Sequence, residues 1–359
     1  MNDNERNRNL AALISDKIRR EGPMSFAQFM DMALYHPRLG YYARTGDSED
    51  YFTSVDVHPL FARVLAKFIR LEWEKNFREG PRFTVLELGA GGGKLAGGIL
   101  SWLSQEARGC FERVRYLVLE SSPERLKRLG KLKKEFGPRV EVLSDPSSLW
   151  PGSLNGVVLS NEFFDALPCH RVVRRDGRIR EIRVGEGFKE IEAEATPPIR
   201  SFFDWLGAAP AEGCAGEAHL LAREWTALLA RALARGTVLT IDYGYESAEL
   251  YSEIRPQGTA LRHLRHQASR DFYRDIGLAD LTAHVNFTVL SKEGAEKGLM
   301  SRPLVSQSRF LLDLGMEEIL RSASESPDAR TRLRASSAAK TLIHPEGLGG
   351  TFKVLLQNK

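Results

Sequence analysis

A strand, a glycine-rich turn and a helix follow one another in the stretch of this sequence best suited to bind a ligand. The stretch is Phe83–Ile99, with the sequence FTVLELGAGGGKLAGGI. Glu87 lies at the carboxyl end of the apolar strand, where ligands collect in an open α/β sheet. The turn leaves no side chain in the way of a ligand on its backbone, and the N–H groups of the next helix face the same crevice. The pattern predicts a ligand with an adenosyl group.

The spacing of the glycines separates two classes of cofactor. A dinucleotide-binding turn needs a third glycine three residues after the second, but Lys94 occupies that position. The order acid-x-Gly-x-Gly-x-Gly instead resembles motif I of the class I S-adenosylmethionine methyltransferases. That cofactor has no phosphate and needs backbone room. A turn without any ligand is the alternative. The residues predicted to contact the cofactor here are Glu87, Gly89, Ala90, Gly91 and Gly93.

Two acids further along the chain are candidates for binding the rest of the cofactor. Glu120 ends the apolar run Val114–Glu120 at the distance expected of a ribose ligand. The alternative is that Glu120 caps the helix that starts near Ser122. Asp145 follows a third strand, Val140–Leu143, and is a candidate for the adenine amino group. A loop acid that contacts no ligand is the alternative for Asp145.

Carboxylates also follow the fourth and fifth predicted strands. The fourth strand, Gly156–Ser160, runs directly into the sequence NEFFDALP, and the fifth strand is Thr237–Asp242. The glycine turn resembles motif I of the class I methyltransferases. Those enzymes place substrate-facing residues at these strand ends. We predict that Asn161 contacts the cofactor. Glu162, Asp165 and Asp242 are the predicted catalytic residues.

An open α/β sheet with helices on both faces would position all of these residues. We predict a Rossmann-like core from residues 81–169 and 237–359, an amino-terminal helical segment from residues 1–80, and an inserted cap from residues 170–236. An irregular aromatic stretch in the first segment predicts a functional loop, with a packed surface loop as the alternative. The loop residues expected to cover the cofactor are Tyr51, Phe52, Thr53 and Ser54.

Two local predictions concern the insertion and the later part of the chain. Glycine at the end of Arg175–Gly177 suits a three-residue hairpin loop, and that register sets Arg171 opposite Glu181. Residues Asp280–Val289 alternate and predict a strand that carries His284. A histidine in that setting is more commonly packed or solvated than a base.

The composition is that of an ordinary soluble protein. The chain has 359 residues, 42% of them hydrophobic, and its net charge of +4 comes from intermixed acids and bases, which gives no support to nucleic-acid binding. Cys110, Cys169 and Cys214 suit neither a disulfide framework nor a metal site and favour a reducing compartment. With no membrane span or signal peptide in the pattern, we expect a cytoplasmic protein.

Several segments together resemble the MidA-type methyltransferases, a family that includes the mitochondrial complex I assembly factor acting on arginine. The resemblance implies a class I fold, S-adenosylmethionine as the cofactor and, in the mitochondrial relatives, methylation of a protein arginine. The segments are GPMSFAQFMDMALYHPRLGYY, DYFTS, ELGAGGGKLA, SNEFFDALP, Asp242-Tyr243-Gly244, DLTAHVNFT and FKVL.

Three functions remain open on the sequence. In a protein arginine methyltransferase, Glu162 or Asp165 would hold the guanidinium group, which is protonated at physiological pH, and would take up its proton. In a small-molecule methyltransferase, the cap would close over the crevice. In an assembly factor that binds the cofactor with little turnover, the acids would be structural: Asp165 would cap a turn and Glu162 would be solvated.

Overall fold

The computed structural model describes residues 2–43, 54–80, 82–324 and 328–359. None of the helices in these ranges is long and apolar enough to cross a membrane. The strands are β1 (Met24–Ser25), β2 (Phe83–Leu88), β3 (Val114–Leu119), β4 (Val140–Leu143), β5 (Leu154–Asn161), β6 (His170–Arg175), β7 (Arg178–Val184), β8 (Glu190–Glu194), β9 (Ala215–Ala218), β10 (Leu233–Tyr245), β11 (Leu261–Leu264), β12 (Gln267–Ser269), β13 (Asp280–Thr282), β14 (Val285–Asn286), β15 (Met300–Ser301), β16 (Val305–Ser306) and β17 (Phe352–Asn358).

The helices connect these strands and cover the sheets. They are α1 (Asp3–Glu21), α2 (Phe26–Tyr35), α3 (Ser54–Val57), α4 (Pro59–Asn76), α5 (Lys94–Glu106), α6 (Arg108–Arg113), α7 (Pro123–Phe136), α8 (Pro197–Leu206), α9 (Leu220–Ala232), α10 (Ser247–Leu250), α11 (Phe287–Glu296), α12 (Gln307–Asp313), α13 (Met316–Ser324), α14 (Ala329–Ile343) and α15 (Leu348–Thr351).

The central sheet has the strand order β4-β3-β2-β5-β10-β17. Its first five strands are parallel, and β17 runs antiparallel to β10. From β2 the chain proceeds first toward β4 and then, through β5, in the opposite direction. In an open α/β sheet, ligands bind in the crevice outside the carboxyl ends of the strands at such a reversal. The predicted α/β class and class I sheet are confirmed.

Alternating side chains of β2 enter two different cores. Phe83 and Val85 pack with α4 and α5 on one face of the sheet. Leu86 and Leu88 pack with α9 and α11 on the other face. All four side chains are buried, as expected of a parallel strand covered by helices on both faces.

The segment inserted between β5 and β10 builds a second sheet. This sheet consists of strands β6 to β9 together with β1 of the amino-terminal segment. Helices α1 and α2 pack beside this sheet in a core that also includes Phe272 and Leu281. Although α9 falls inside residues 170–236, it packs on the central sheet. The division into core, amino-terminal segment and cap stays a prediction.

The hairpin register was predicted wrongly. The loop between β6 and β7 has two residues, Asp176 and Gly177, with φ of +50° and +73°. Because both adopt left-handed conformations, they form a tight hairpin turn one residue shorter than expected. Arg171 therefore pairs with Ile182 instead of Glu181.

The predicted strand Asp280–Val289 is also wrong beyond its first part. The chain forms β13 and β14 and then enters α11 at Phe287. The side chain of Asn286 caps this helix by accepting hydrogen bonds from the N–H groups of Thr288 and Val289. The alternation therefore ends at Asn286, a residue type that suits an N-cap. His284 lies between the two short strands.

Candidate active site

The glycine turn after β2 leaves an open space above the sheet. Gly89, Gly91 and Gly93 all have positive φ, between 56° and 80°, and α5 begins directly after Gly93. The N–H of Gly93 donates to the carbonyl of Ala90 at 2.9 Å and closes the turn. A β-carbon built on Gly91 would meet no atom within 4 Å. The backbone of this turn therefore faces room that a ligand can fill.

Glu120, just after β3, holds this turn in place. Its Oε2 accepts a hydrogen bond from the N–H of Gly91 at 3.1 Å, and its Oε1 accepts one from the N–H of Ser122 at 2.8 Å. The residue is only 5% exposed. The cap of α7 is Ser122, not Glu120. Each carboxylate oxygen can accept a second hydrogen bond, so the geometry leaves the predicted ribose contact possible, and that contact stays a prediction.

Glu87 is buried at the end of β2. Its Oε2 accepts a hydrogen bond of 2.6 Å from the hydroxyl of Tyr116 on β3, and the residue is 3% exposed. Burial raises the pKa of Glu87 to about 7. The structure thus connects this acid to the neighbouring strand, and its contact with the cofactor stays a prediction.

Asp145 lies at the predicted end of the crevice but on its surface. It is exposed, and its Oδ1 accepts a hydrogen bond from the N–H of Ser147 at 2.7 Å. This hydrogen bond lowers the pKa of Asp145. The neighbouring strand end is connected to Glu120, whose N–H donates to the carbonyl of Leu143. Asp145 is a turn cap in this structure, and its adenine contact stays a prediction.

Asp242 joins the end of β10 to the turn after β5. Its Oδ2 accepts hydrogen bonds from the N–H groups of Phe163, Phe164 and Asp165, at 3.2, 3.0 and 3.4 Å. Its Oδ1 accepts one from the N–H of Tyr243 at 3.0 Å. Asp242 is completely buried. Both oxygens are directed at backbone N–H groups, so Asp242 holds the turn in position, and its catalytic role stays a prediction.

The turn held by Asp242 starts in an unusual backbone conformation. Glu162 has a φ of +54°, and its N–H donates to the carbonyl of Ile241 at 3.0 Å. Residues other than glycine adopt this conformation at a cost of about 1–3 kcal/mol, commonly at functional sites. The side chain of Asn161 donates to Glu162 Oε1 at 3.0 Å. Within the described ranges, the buried Oδ1 of Asn161 has no hydrogen-bond partner.

Asp165 is a buried acid beside Asp242. It is 1% exposed, and burial raises its pKa to about 6 although the Tyr243 hydroxyl favours the ionised form. Burial, Asp165 and Glu162 together raise the pKa of Asp242 well above its ordinary value. Two neighbouring acids in such a place disfavour each other's ionisation, and a bound cation would relieve that repulsion.

Two tyrosines of the amino-terminal segment complete the crevice, and sequence reasoning missed both. The hydroxyl of Tyr35 donates to the carbonyl of Ala166 at 2.9 Å. The hydroxyl of Tyr42 donates to Asp280 Oδ1 at 3.1 Å, and the guanidinium carbon of Arg125 lies 4.3 Å from the centre of the Tyr42 ring. Tyr42 lies in the aromatic sequence LGYY and Tyr35 seven residues before it, but nothing local showed which strand ends either of them would reach.

The predicted covering loop is described only at its last residue. Tyr51, Phe52 and Thr53 lie outside the described residues. Ser54 is completely buried, and its hydroxyl donates to Gln307 Oε1 at 3.1 Å. Ser54 therefore contacts the start of α12, and closure of the loop over the cofactor stays a prediction.

Open backbone at Gly91, an acid at the end of β3 and buried carboxylates after β5 meet at the reversal of a parallel sheet. No phosphate-binding glycine pattern is present in the sequence of this turn. The residues fit S-adenosylmethionine, which supplies a methyl group on a positively charged sulfur. The fold and the crevice define a class I S-adenosylmethionine-dependent methyltransferase.

Comparison with known proteins agrees with that class. Residues 64–304 match a family described as S-adenosyl-L-methionine-dependent methyltransferases. A crystal structure from Burkholderia thailandensis with bound S-adenosyl-homocysteine is 31% identical, with a TM-score of 0.84 over 99% of this chain and 93% of that one.

Named relatives are similar over almost the whole chain. The mitochondrial protein arginine methyltransferase NDUFAF7 of Danio rerio is 26% identical, over 97% of this chain and 86% of its own length. The human protein of that name is 24% identical, over 94% and 80%. The chain belongs to the MidA-type family of S-adenosylmethionine-dependent methyltransferases.

We expect Gly91→Leu to abolish binding of S-adenosyl-homocysteine, because its side chain would enter the open space above the turn. The left-handed backbone would cost only about 1–2 kcal/mol of folding stability. Gly92→Ala is the matched control, since its β-carbon would make an ordinary contact of 3.8 Å with Arg128. Titration calorimetry and urea unfolding check both variants. Unchanged affinity in Gly91→Leu would place the cofactor elsewhere.

The raised pKa of Asp165 predicts a pH-dependent loss of stability. Well below a pH of about 3.8 the carboxyl is protonated in both folded and unfolded chains, and above a pH of about 6 the folded chain holds a buried charge. As pH rises from 4 to 7, the free energy of unfolding should therefore fall more in the wild type than in Asp165→Asn, by about 2–3 kcal/mol. Urea unfolding at a series of pH values measures this difference. Parallel curves for the two proteins would contradict it.

Proposed function

We propose that this methyltransferase transfers the methyl group of S-adenosylmethionine to an arginine of a protein acceptor. The observation that carries the proposal is the pair Glu162 and Asp165, held by Asp242 at the carboxyl edge of the sheet. The names of the relatives, as protein arginine methyltransferases, point to the same acceptor. Their sequences differ from this chain at about three positions in four.

The chemistry of arginine explains why acids are needed there. A guanidinium group has a pKa above roughly 12 and spreads its charge over three nitrogens. A nitrogen that attacks a methyl group needs its electron pair localised, and it must lose a proton once it is methylated. Carboxylates can hold the planar group through paired hydrogen bonds and then accept that proton. Asp165 suits the second task, because a pKa of about 6 lies near the working pH.

Glu162 and Asp165 differ in how they would meet the acceptor. Glu162 is partly exposed, and its Oε1 accepts a hydrogen bond from the side chain of Asn161 at the end of β5. Asp165 is buried behind it, beside the hydroxyl of Tyr243. We assign Glu162 to the grip on the guanidinium and Asp165 to the control of charge beneath it.

Labelling of a protein extract tests the acceptor. Wild type with methyl-labelled S-adenosylmethionine should place the label in protein, and amino-acid analysis should find it in methylarginine. Glu162→Gln and Asp165→Asn should bind S-adenosyl-homocysteine normally, while transfer falls by about 10²-fold or more, as is typical when a positioned acid or base is lost. Glu186→Gln, a change at an exposed acid of the insertion, is the control and should retain full transfer.

Other outcomes would each favour a different function. Label in lysine or in small metabolites would reject an arginine acceptor. Cofactor binding without transfer to any fraction would favour an assembly factor. A cytoplasmic location remains part of the proposal, whereas the named relatives are mitochondrial proteins.

A further inference from the structure

Three partly exposed aromatic rings stand next to the acids at the carboxyl edge of the sheet. They are Tyr243, His284 and Tyr245, which we call the aromatic wall. The centre of the His284 ring lies 5.3 Å from that of Tyr243, at an angle of 80°. It lies 5.6 Å from that of Tyr245, at 38°. The ring of His284 therefore packs against both tyrosine rings and connects them.

The aromatic wall begins at Asp165. The hydroxyl of Tyr243 faces this acid, whose charge adds to burial in raising the pKa of Tyr243. The N–H of Ala283, the residue before His284, donates to the carbonyl of Asp165 at 3.0 Å. Parallel pairing of Gly244 with Val285 then fixes Tyr245 beside the histidine. The first ring of the wall therefore lies beside the acid that the proposed function places beneath the acceptor.

Among the residues that the structure describes, none is held by the ring nitrogens of His284. Within the described part of the chain, neither nitrogen takes part in a hydrogen bond, and Nδ1 is buried. Burial lowers the pKa of His284 to about 4, so the ring is neutral at physiological pH. The charged and titratable groups around it are Glu217, His219, Arg255 and His263.

The inserted segment fixes the backbone at this histidine. The N–H of His284 donates to the hydroxyl of Thr259, which donates to Glu217 Oε2 at 2.9 Å. Glu217 is a buried residue of β9, and its Oε1 also accepts from the N–H groups of Thr259 and Ala260. The second sheet thus positions the ring although it contributes none of the three aromatic side chains.

The outer end of the wall already carries a guanidinium group. The guanidinium carbon of Arg255 lies 4.1 Å from the centre of the Tyr245 ring. Its charge is balanced by Glu249 Oε1, which accepts a hydrogen bond at 2.9 Å. The ammonium nitrogen of Lys353 also lies over this ring, but farther away, at 5.7 Å from its centre. The outer ring of the wall thus contacts cations, and the guanidinium group is the nearer of the two.

We propose that the aromatic wall receives the guanidinium group of the methyl acceptor and selects arginine over lysine, an inference that rests on the proposed function. A guanidinium is flat and weakly hydrated, so it can lie on an aromatic face while its edge meets a carboxylate. The ammonium of lysine is compact, strongly hydrated and lacks a flat face. Selection also requires a neutral ring at the middle position, because a cation there would repel the acceptor.

Two substitutions of His284 separate the charge of the ring from its shape. His284→Phe keeps a flat neutral ring, and His284→Lys places a permanent cation in the wall. The control His344→Lys makes the same change at an exposed histidine after α14. Each protein, saturated with S-adenosyl-homocysteine, is titrated with N-acetyl-arginine methylamide and N-acetyl-lysine methylamide and followed by NMR. Urea unfolding checks that each variant folds.

Wild type and His344→Lys should bind the arginine probe at least about tenfold more tightly than the lysine probe. His284→Phe should stay within about threefold of wild type, and His284→Lys should lose about tenfold or more for the arginine probe. Affinity for S-adenosyl-homocysteine should be unchanged in all of them. Transfer of label to arginine in extract should follow the same order.

The role of the wall would be overturned if wild type bound the two probes equally well. It would also be overturned if His284→Lys bound the arginine probe as tightly as wild type. Absence of binding by either probe would overturn it as well. These results leave the proposed function standing if wild type still labels arginine in extract. Should wild type label no arginine there, the proposed function fails and the inference fails with it.

Discussion

The carboxylate of Asp242 is the constraint on which the candidate site depends. Four backbone N–H groups, three of them in the turn after β5, converge on its two oxygens. A buried acid is costly unless it is hydrogen-bonded, and a typical hydrogen bond contributes about 0.5–1.5 kcal/mol. The turn cannot leave this position without exposing or orphaning those groups. The backbone of Glu162 and the depth of Asp165 both follow from it.

Parts of the chain outside the central sheet also contact segments at the carboxyl edge of that sheet. Tyr35 reaches the turn through the carbonyl of Ala166, and Tyr42 reaches Asp280 in β13. Glu217 of the second sheet fixes Thr259 and through it His284. The amino-terminal segment and the insertion, which pair with each other through β1 and β7, therefore both contact segments at the carboxyl edge of the central sheet.

Local sequence was enough to predict the strand, glycine turn and helix, because each rests on rules that act over a few residues. The strand before the turn is apolar in sequence, and the structure buries it along its whole length as β2. The register of the β6–β7 hairpin was predicted wrongly, because it depends on whether Asp176 adopts a left-handed conformation. The local sequence allows Asp176 to adopt that conformation or another. Only the folded chain reveals such a choice.

The role of Asp242 was beyond local reasoning for a different reason. Its partners are 77 to 79 residues earlier in the chain, so their proximity depends on the strand order. From sequence alone, an acid at a strand end is predicted to be catalytic, whether it faces a ligand or a turn. Tyr35 and Asp165 have the same difficulty, because their neighbours come from distant segments.

Amide hydrogen exchange in Asp242→Ala tests most directly whether this carboxylate holds the catalytic turn. The account predicts that the N–H groups of Phe163, Phe164 and Asp165 exchange at least about tenfold faster than in wild type, a loss of about 1.4 kcal/mol or more in local stability. Protection of β2 and β3 should be unchanged, because their N–H groups belong to the parallel ladder. Wild-type protection at all three N–H groups of the turn would contradict the account.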